Sequence, residues 1–166
     1  MELKQILVLQ QKNLAKNLTE GESYTEGFLT VEHTFELLKK MNTVAPHILA
    51  IDQGQVVGYA LSMSPKFGDE IDILRPMFAA MNKLTKGKRD YMVMGQICIA
   101  KHYRGQGLFR GLYTTMQQLL PATCTTIITE VATSNTRSLQ AHTAIGFREL
   151  KRYFKANQEW SLIILS

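Results

Sequence analysis

The sequence predicts an α/β fold, and three consecutive features indicate it. Residues 91–100 form an apolar run without alternation, which is typical of a strand buried on both faces. Residues 103–109 are a polar turn with two glycines. Apolar residues then recur at helical spacing until Pro121, among them Leu108, Leu112, Met116 and Leu119. The order is therefore strand, glycine loop, helix.

The N-terminal third is expected to begin with a strand over residues 3–10, although a helix also fits, and to continue with a short helix near 12–18. Residues 19–27 are polar and carry Glu20, Glu22 and Glu26. They are interpreted as a solvated loop, or alternatively as an acidic wall that attracts a cationic amine. Thr30 is the expected N-cap of a helix that ends before Pro46.

The middle of the chain predicts a hairpin and then an unusual insertion. Residues 47–51 and 55–63 read as two strands around a turn at 52–54, with Gly58 indicating a bulge. Residues 69–84 share a helical face that Pro76 interrupts, so two helical pieces are expected, the second starting at Pro76. Residues 83–89 are basic and are expected to form an exposed loop.

The C-terminal part predicts a strand over 125–131 and a helix that Ser134 or Asn135 caps and Gly146 ends. A terminal hairpin follows over 147–155 and 159–165, with its turn near Asn157.

Composition limits the classes of protein that the chain can belong to. The 166 residues suffice for one domain, and no apolar run reaches the roughly 18 residues of a membrane span. A net charge of +5 suits a polyanionic ligand but is too mild to indicate nucleic acid. Cys98 and Cys124 lie in apolar runs without a CxxC pattern, which favours buried thiols and a reducing cytoplasm. Four scattered histidines show no ligand spacing, so no metal is expected.

The glycine loop is interpreted as a phosphate cradle. At a junction of loop and helix, several N–H groups point outward and the helix dipole adds partial positive charge, while Arg104 and Arg110 add full charges. The Walker pattern is absent, and a dinucleotide pattern counted from Gly105 fails because its third glycine falls on Arg110. Glu130 lies about 20 residues on, where a ribose-binding acid would sit, so a nucleotide remains an alternative. The other alternative is that residues 103–109 form only a tight turn before an ordinary helix.

Arg104-x-x-Gly107-x-Phe109 resembles the Q/R-x-x-G-x-G/A signature of the GNAT acetyltransferases, which cradles the pyrophosphate of acetyl-CoA. Phe109 departs from the usual Gly or Ala. A second segment resembles the later GNAT landmark N-x-x-S/A-x-x-x-Y/H-x-x-x-G-F, and it falls one strand after the loop, as in the family. Its matching residues are Asn135, Ser138, His142, Gly146 and Phe147.

The resemblance implies a single domain with a mixed, mostly antiparallel sheet of about seven strands and helices on both faces. The strands before and after the glycine-loop helix would run parallel and splay apart, and the pantetheine arm of acetyl-CoA, the co-substrate, would enter the gap. The residues implied for binding it are Ile97, Cys98 and Ile99 in the gap, Arg104, Gly105, Gln106, Gly107, Leu108 and Phe109 at the pyrophosphate, and Asn135 and Ser138 along the wall.

The resemblance also implies direct attack of an amine on the thioester, with a backbone N–H of Cys98 or Ile99 polarising the carbonyl. His142 stands where many members have the Tyr that serves the leaving thiolate. Gln96 replaces the carboxylate that members often carry on the central strand, and it could orient substrate or water. Glu130 is the nearest strand carboxylate and the candidate base, with a water chain as the alternative.

The predicted function is N-acetyl transfer from acetyl-CoA to a primary amine on a small molecule or peptide. It requires no metal, nucleic acid or membrane, and it is compatible with a homodimer. Three alternatives stay open: a non-catalytic acyl-CoA-binding sensor of the same fold, a nucleotide-binding α/β enzyme and a partner-binding module.

Overall fold

The computed structural model describes residues 1–19, 21–22 and 26–166. Its sheet has six strands in the order β1-β2-β3-β4-β6-β5, and β3 and β4 are the parallel pair. The strands are β1 Ile48–Asp52, β2 Gln55–Met63, β3 Tyr91–Ile99, β4 Thr126–Ala132, β5 Arg148–Lys155 and β6 Gln158–Leu165. The α-helices with both ends described are α1 Glu2–Asn13, α2 Phe35–Val44, α3 Arg75–Thr85, α4 Leu108–Gln118 and α5 Thr136–Ala144.

The predicted first strand over residues 3–10 is wrong, because these residues belong to α1. Ile6, Leu9 and Gln10 are the buried positions, and their spacing is that of one helical face. The buried Gln10 side chain exchanges hydrogen bonds with the backbone of His33, which holds α1 against the chain that follows. The sheet therefore has six strands where about seven were expected.

The helix expected to start at Thr30 starts four residues later. Thr34 is the N-cap, and its Oγ1 accepts the N–H of Leu37 at 3.3 Å. Val31 stays outside the helix because its carbonyl accepts a hydrogen bond from Gln96 Nε2 at 2.7 Å. Glu20, one of the acidic residues of the polar segment, lies outside the described residues.

The hairpin and the terminal hairpin follow the sequence prediction, and so does the insertion, except that its last helix runs to Thr85, into the loop expected over 83–89. β1 and β2 join through Gln53 and Gly54, both with positive φ, and β2 carries an extra residue beside Gly58. The insertion contains 3₁₀ turns at Pro65–Asp69 and Asp72–Leu74 and then α3, with Pro76 in its first turn.

The helices pack on both faces of the sheet. Buried residues of α1, α2 and α3 share one core cluster with Tyr59, Val93, Ile128 and Leu162, and those of α4 share another with Ala60, Met94, Ile127 and Ile163. Because side chains of a strand alternate between faces, a residue of β3, β4 or β6 can be assigned to one side. We call the first side the α1 face and the second the α4 face.

The parallel strands β3 and β4 are paired at their start and separate afterwards. The three pairs are Tyr91 with Thr126, Met92 with Ile127 and Val93 with Ile128. Beyond them β3 stays paired with β2, and its register gains one residue at Gly95–Gln96. The predicted splay of this pair is confirmed, and it leaves a gap in the middle of the sheet.

No described helix combines the length and the hydropathy needed to cross a membrane.

Candidate functional site

The glycine loop presents a row of available backbone donors. Gly105 and Gly107 have φ of 74° and 83°, a conformation that favours glycine, and α4 begins directly after them. None of the hydrogen bonds among the described residues is donated by the N–H groups of residues 105–110. A Cβ at either glycine would meet open space. Outward amides at a helix start form the geometry that binds phosphate, so these residues fit the pyrophosphate of CoA.

Phe109, the departure from the family signature, does not obstruct this cradle. Its ring packs edge-on against Tyr113, at 5.3 Å between centroids, and against His142, at 5.0 Å. The side chain therefore belongs to the aromatic cluster behind the loop, and its backbone N–H remains on the loop side.

The side chains of Arg104 and Arg110, which were expected to add positive charge at the glycine loop, bind other parts of the protein. Arg104 donates from Nε to Ile99 O at 2.9 Å, from Nη1 to Glu26 Oε2 at 2.5 Å and from Nη2 to Asn13 Oδ1 at 2.8 Å. Its guanidinium thus ties the loop to the N-terminal segment. Arg110 donates to Ala144 O at the end of α5. Arg137, which the sequence analysis did not single out, lines the cavity instead.

A cavity of about 310 Å³ extends from the glycine loop along residues 97–99 of β3 to the start of α5. The predicted CoA-binding residues that line it are Ile97, Cys98, Ile99, Arg104, Gly105, Gly107, Leu108, Phe109, Asn135 and Ser138. Gln106 does not line it, and its side chain donates to His102 O. Asn135 caps α5 through Ser138 N and donates to Phe28 O, so it joins the two walls of the cavity.

Backbone alternation decides which N–H groups of β3 face the gap. Ala100 N–H donates to Val57 O on the β2 side. Directions alternate along a strand, so the N–H groups of Ile97 and Ile99 point the other way, toward the gap, while that of Cys98 points toward β2. Of the two amides proposed to polarise the thioester, only that of Ile99 faces the cavity.

The gap continues through the sheet to the α1 face. A second cavity of about 80 Å³ shares Phe28, Leu29 and Ile97 with the first and also contacts Glu130 and Trp160. A third of about 40 Å³ shares Glu130 and Trp160 with the second. Glu130 shares its side of β4 with Ile128, and Trp160 its side of β6 with Leu162, so both lie on the α1 face. The three cavities lie next to one another, as their shared lining residues show, and we call them together the passage.

Gln96 lies in this passage, and both polar atoms of its amide are hydrogen-bonded to the protein. Oε1 accepts the Tyr59 hydroxyl at 2.6 Å and Nε2 donates to Val31 O at 2.7 Å. The side chain therefore joins β2, β3 and the segment before α2. It holds the walls of the passage together.

His142 is enclosed in the aromatic cluster, with 1% of its surface exposed. Its Nδ1–H donates to Ser138 O at 2.7 Å, which leaves Nε2 to accept the Tyr113 hydroxyl at 2.7 Å. Burial lowers the pKa of His142 to about 4, partly opposed by the bond to Ser138 O, so the ring is neutral at pH 7. A neutral ring with both nitrogens occupied has no proton to offer a thiolate, and the geometry favours a structural role.

Glu130 belongs to a buried network that the sequence did not reveal. Its side chain is 6% exposed and that of Lys155 is 9% exposed, with Lys155 Nζ 2.5 Å from Glu130 Oε1. Tyr153 donates its hydroxyl to Oε2, and the pKa of Tyr153 is raised by burial and by the Glu130 charge. Both partners come from the terminal hairpin, which carries no sequence motif pointing to Glu130.

Replacing Arg104 with Ala is expected to lower the free energy of unfolding by about 2–3 kcal/mol, because it removes bonds from a partly buried pair. CoA affinity should fall with it, as the loop loses its support. Denaturant unfolding and calorimetric titration with CoA measure the two effects.

Glu26→Gln separates a supporting role of Arg104 from direct phosphate contact. If Arg104 supports the loop, this variant should also weaken CoA binding. Tighter CoA binding by Glu26→Gln would show instead that the freed guanidinium contacts the phosphates itself.

Replacing His142 with Phe should destabilise the protein more than it slows chemistry. The change leaves the Tyr113 hydroxyl buried without its partner, at a cost of about 1–3 kcal/mol. The double variant with Tyr113→Phe should recover part of this loss, since both polar groups are then removed. A stable His142→Phe protein with a large loss in kcat would contradict the structural role and support the predicted catalytic one.

A family comparison agrees with this geometry. Residues 13–147 match the model of the acetyltransferase (GNAT) family. The chain belongs to the GNAT family. A comparison with curated proteins gives no match.

Solved structures share the fold at low sequence identity. Ard1 from Thermoplasma volcanium is 15% identical, with 99% of this chain and 93% of that chain covered and a TM-score of 0.65. The ribosomal-protein-S18-alanine N-acetyltransferase from Escherichia coli is 13% identical, with coverage of 98% and 86% and a TM-score of 0.60. The NatC complex bound to Gag peptide and CoA contains a chain 15% identical, with coverage of 99% and 89% and a TM-score of 0.64.

Within residues 1–19, 21–22 and 26–166, no group of three or more His, Cys, Asp or Glu side chains is arranged to hold a metal ion.

Proposed function

We propose that the protein, as one domain, transfers the acetyl group of acetyl-CoA to a primary amine by direct attack. The observation that carries the proposal is one cavity that brings the available amides of Gly105, Gly107, Leu108 and Phe109 together with residues 97–99 of β3, beside the gap between β3 and β4. Acetyl-CoA supplies the activated acetyl group. The chain supplies the phosphate cradle, the β3 amides along the pantetheine arm and a path to the opposite face for the amine.

The residues around the gap suit attack without an enzyme-bound intermediate. Burial raises the pKa of the Cys98 thiol to about 12, so its thiolate is scarce at pH 7. The N–H group of Ile99 is the proposed donor to the negative charge that develops on the thioester oxygen. Glu130, on the far side of the gap, is the carboxylate that could accept the proton of the attacking amine.

A small-molecule or peptide amine is the proposed acceptor. Structural neighbours include an enzyme named for the alanine of a ribosomal protein and a complex bound to a peptide, which support a peptide amine. The two free thiols of Cys98 and Cys124 suit the reducing cytoplasm predicted from sequence.

An amine panel tests the proposal. Purified protein is incubated with acetyl-CoA and amines that include amino-acid amides, short peptides, diamines and alkylamines, while released CoA thiol is followed. Turnover on at least one primary amine is expected. Binding of acetyl-CoA without turnover on any acceptor would favour the acyl-CoA-binding alternative. Thermal stabilisation of the protein by NAD, and not by acetyl-CoA, would contradict both the transferase and the acyl-CoA-binding hypotheses.

A further inference from the structure

Trp160, at the far end of the passage, carries a buried donor without a partner. The residue is 7% exposed, and its Nε1 has no hydrogen-bond partner among the described residues. It lines both the 80 Å³ and the 40 Å³ cavities. A buried N–H normally finds an acceptor, so an unused one on a side chain that lines two cavities makes it a candidate donor to a ligand acceptor atom.

The polar groups around Trp160 leave one further position for a ligand. The Lys155 ammonium donates to Glu130 Oε1 and to Ile73 O, and it lies 4.1 Å from the centroid of the Trp160 ring. Lys155 is thus saturated. The Glu130 carboxylate accepts one bond on each oxygen and keeps lone pairs for another donor. Among the side chains of this group, the available donor is therefore Trp160 Nε1–H and the available acceptor is Glu130.

The size and charge of this end restrict what can enter. Val31, Leu74, Met77 and Met94 supply apolar walls, the second and third of them from the insertion between β2 and β3. The cavities hold only a few non-hydrogen atoms, since one water takes about 30 Å³ of liquid. Because Lys155 already neutralises Glu130, a neutral amine that donates an N–H suits the site better than a second ammonium.

We propose that Glu130 and Trp160 form the acceptor subsite, and that it selects a primary amine whose neighbouring carbon carries a carbonyl group, as in an amino-acid amide or a peptide N-terminus. The amine donates to Glu130, and the carbonyl oxygen accepts the Trp160 Nε1–H bond. The inference rests on the proposed function. An α-amino group also has a lower reference pKa, near 8, than the lysine ε-amino group, near 10.4, so more of it is neutral at pH 7.

Trp160 is the only tryptophan of the chain, so its indole N–H gives a single resonance in a ¹⁵N-labelled protein. Alaninamide and sec-butylamine, which lacks the carbonyl, are titrated into the protein saturated with CoA. A saturable downfield shift of the indole proton with alaninamide and none with sec-butylamine is expected. An indole resonance that does not shift with alaninamide, or that shifts equally with both amines, would overturn the inference.

A matched variant pair carries the test into turnover. Trp160→Phe keeps an aromatic ring and removes the donor, and the factor by which it lowers kcat/KM should be about tenfold larger for alaninamide than for sec-butylamine. Tyr91→Phe is the matched control, because it removes a different buried polar group without a partner among the described residues. It should leave kcat/KM for both amines unchanged. An equal loss on both amines with Trp160→Phe would count against carbonyl recognition.

The two hypotheses fail separately. An indole shift without acetyl transfer to any amine would sink the proposed function and keep the subsite. Acetyl transfer without an indole response would contradict the proposed subsite and leave the proposed function standing.

Discussion

Replacing Glu130 with Gln is expected to lower kcat by about 10²–10⁴-fold, the usual contribution of a general base. The carboxylate is the charged group that the passage presents on the far side of the gap, and Gln has its shape without its basicity. The KM for acetyl-CoA should stay close to that of the wild type, because Glu130 lies away from the glycine loop. Steady-state kinetics with acetyl-CoA and the best acceptor of the panel measure both constants.

Two controls keep this result interpretable. Glu130→Gln leaves the buried Lys155 without its counter-charge, so the folded fraction must be checked by near-ultraviolet circular dichroism and denaturant unfolding. Glu70→Gln removes the partner of Lys40 in an exposed ion pair and should leave kcat unchanged. A folded Glu130→Gln protein with kcat within threefold of wild type would assign the proton to water instead.

Acidification from pH 7 to pH 4 is expected to remove most of the stability of the fold. Burial lowers the pKa values of His33, His47 and His142 to about 4 each, and for His33 the neighbouring His47 adds to the effect. In the unfolded chain these groups take up protons near pH 6.5. The unfolded state therefore binds more protons between pH 6.5 and 4, so stability is full above pH 6.5 and is lost as pH falls toward 4.

The expected loss is about 2 kcal/mol for each histidine by pH 5 and on the order of 3 kcal/mol by pH 4. Three such groups together approach the 5–15 kcal/mol that a domain of this kind has. Denaturant unfolding at pH 7, 6 and 5 measures the slope. A free energy of unfolding that is equal at pH 7 and pH 5 would contradict the account.

The central part of the fold was predictable because its signals are local. The apolar run of β3, the two glycines and the apolar stripe of α4 each depend on neighbouring residues, and Asn135 caps α5 through its own first turn. The prediction for the first ten residues failed because local signals do not determine their structure. Their apolar run fits a strand or a helix, and the choice was made by packing of Ile6 and Gln10 against distant parts of the chain.

The conformation of the glycine loop was predictable, and the surroundings of Glu130 were predictable only in part. Glycine spacing encodes the conformation that presents the amides, so residues 105–109 could be named from sequence. Glu130 could be named as a strand carboxylate, but Tyr153 and Lys155 reach it from β5 across the intervening β6, and Trp160 lies on β6 itself. The tie between Arg104 and Glu26 joins positions 78 residues apart, and no spacing rule predicts such a pair.

The most direct test of phosphate binding at the glycine loop is a backbone amide titration of ¹⁵N-labelled protein with CoA and with pantetheine, which lacks the pyrophosphate. If the glycine loop binds the pyrophosphate, CoA shifts the amide resonances of Gly105 and Gly107, while pantetheine leaves them in place. CoA binding with both glycine amides unmoved would place the phosphates elsewhere and contradict phosphate binding at the loop.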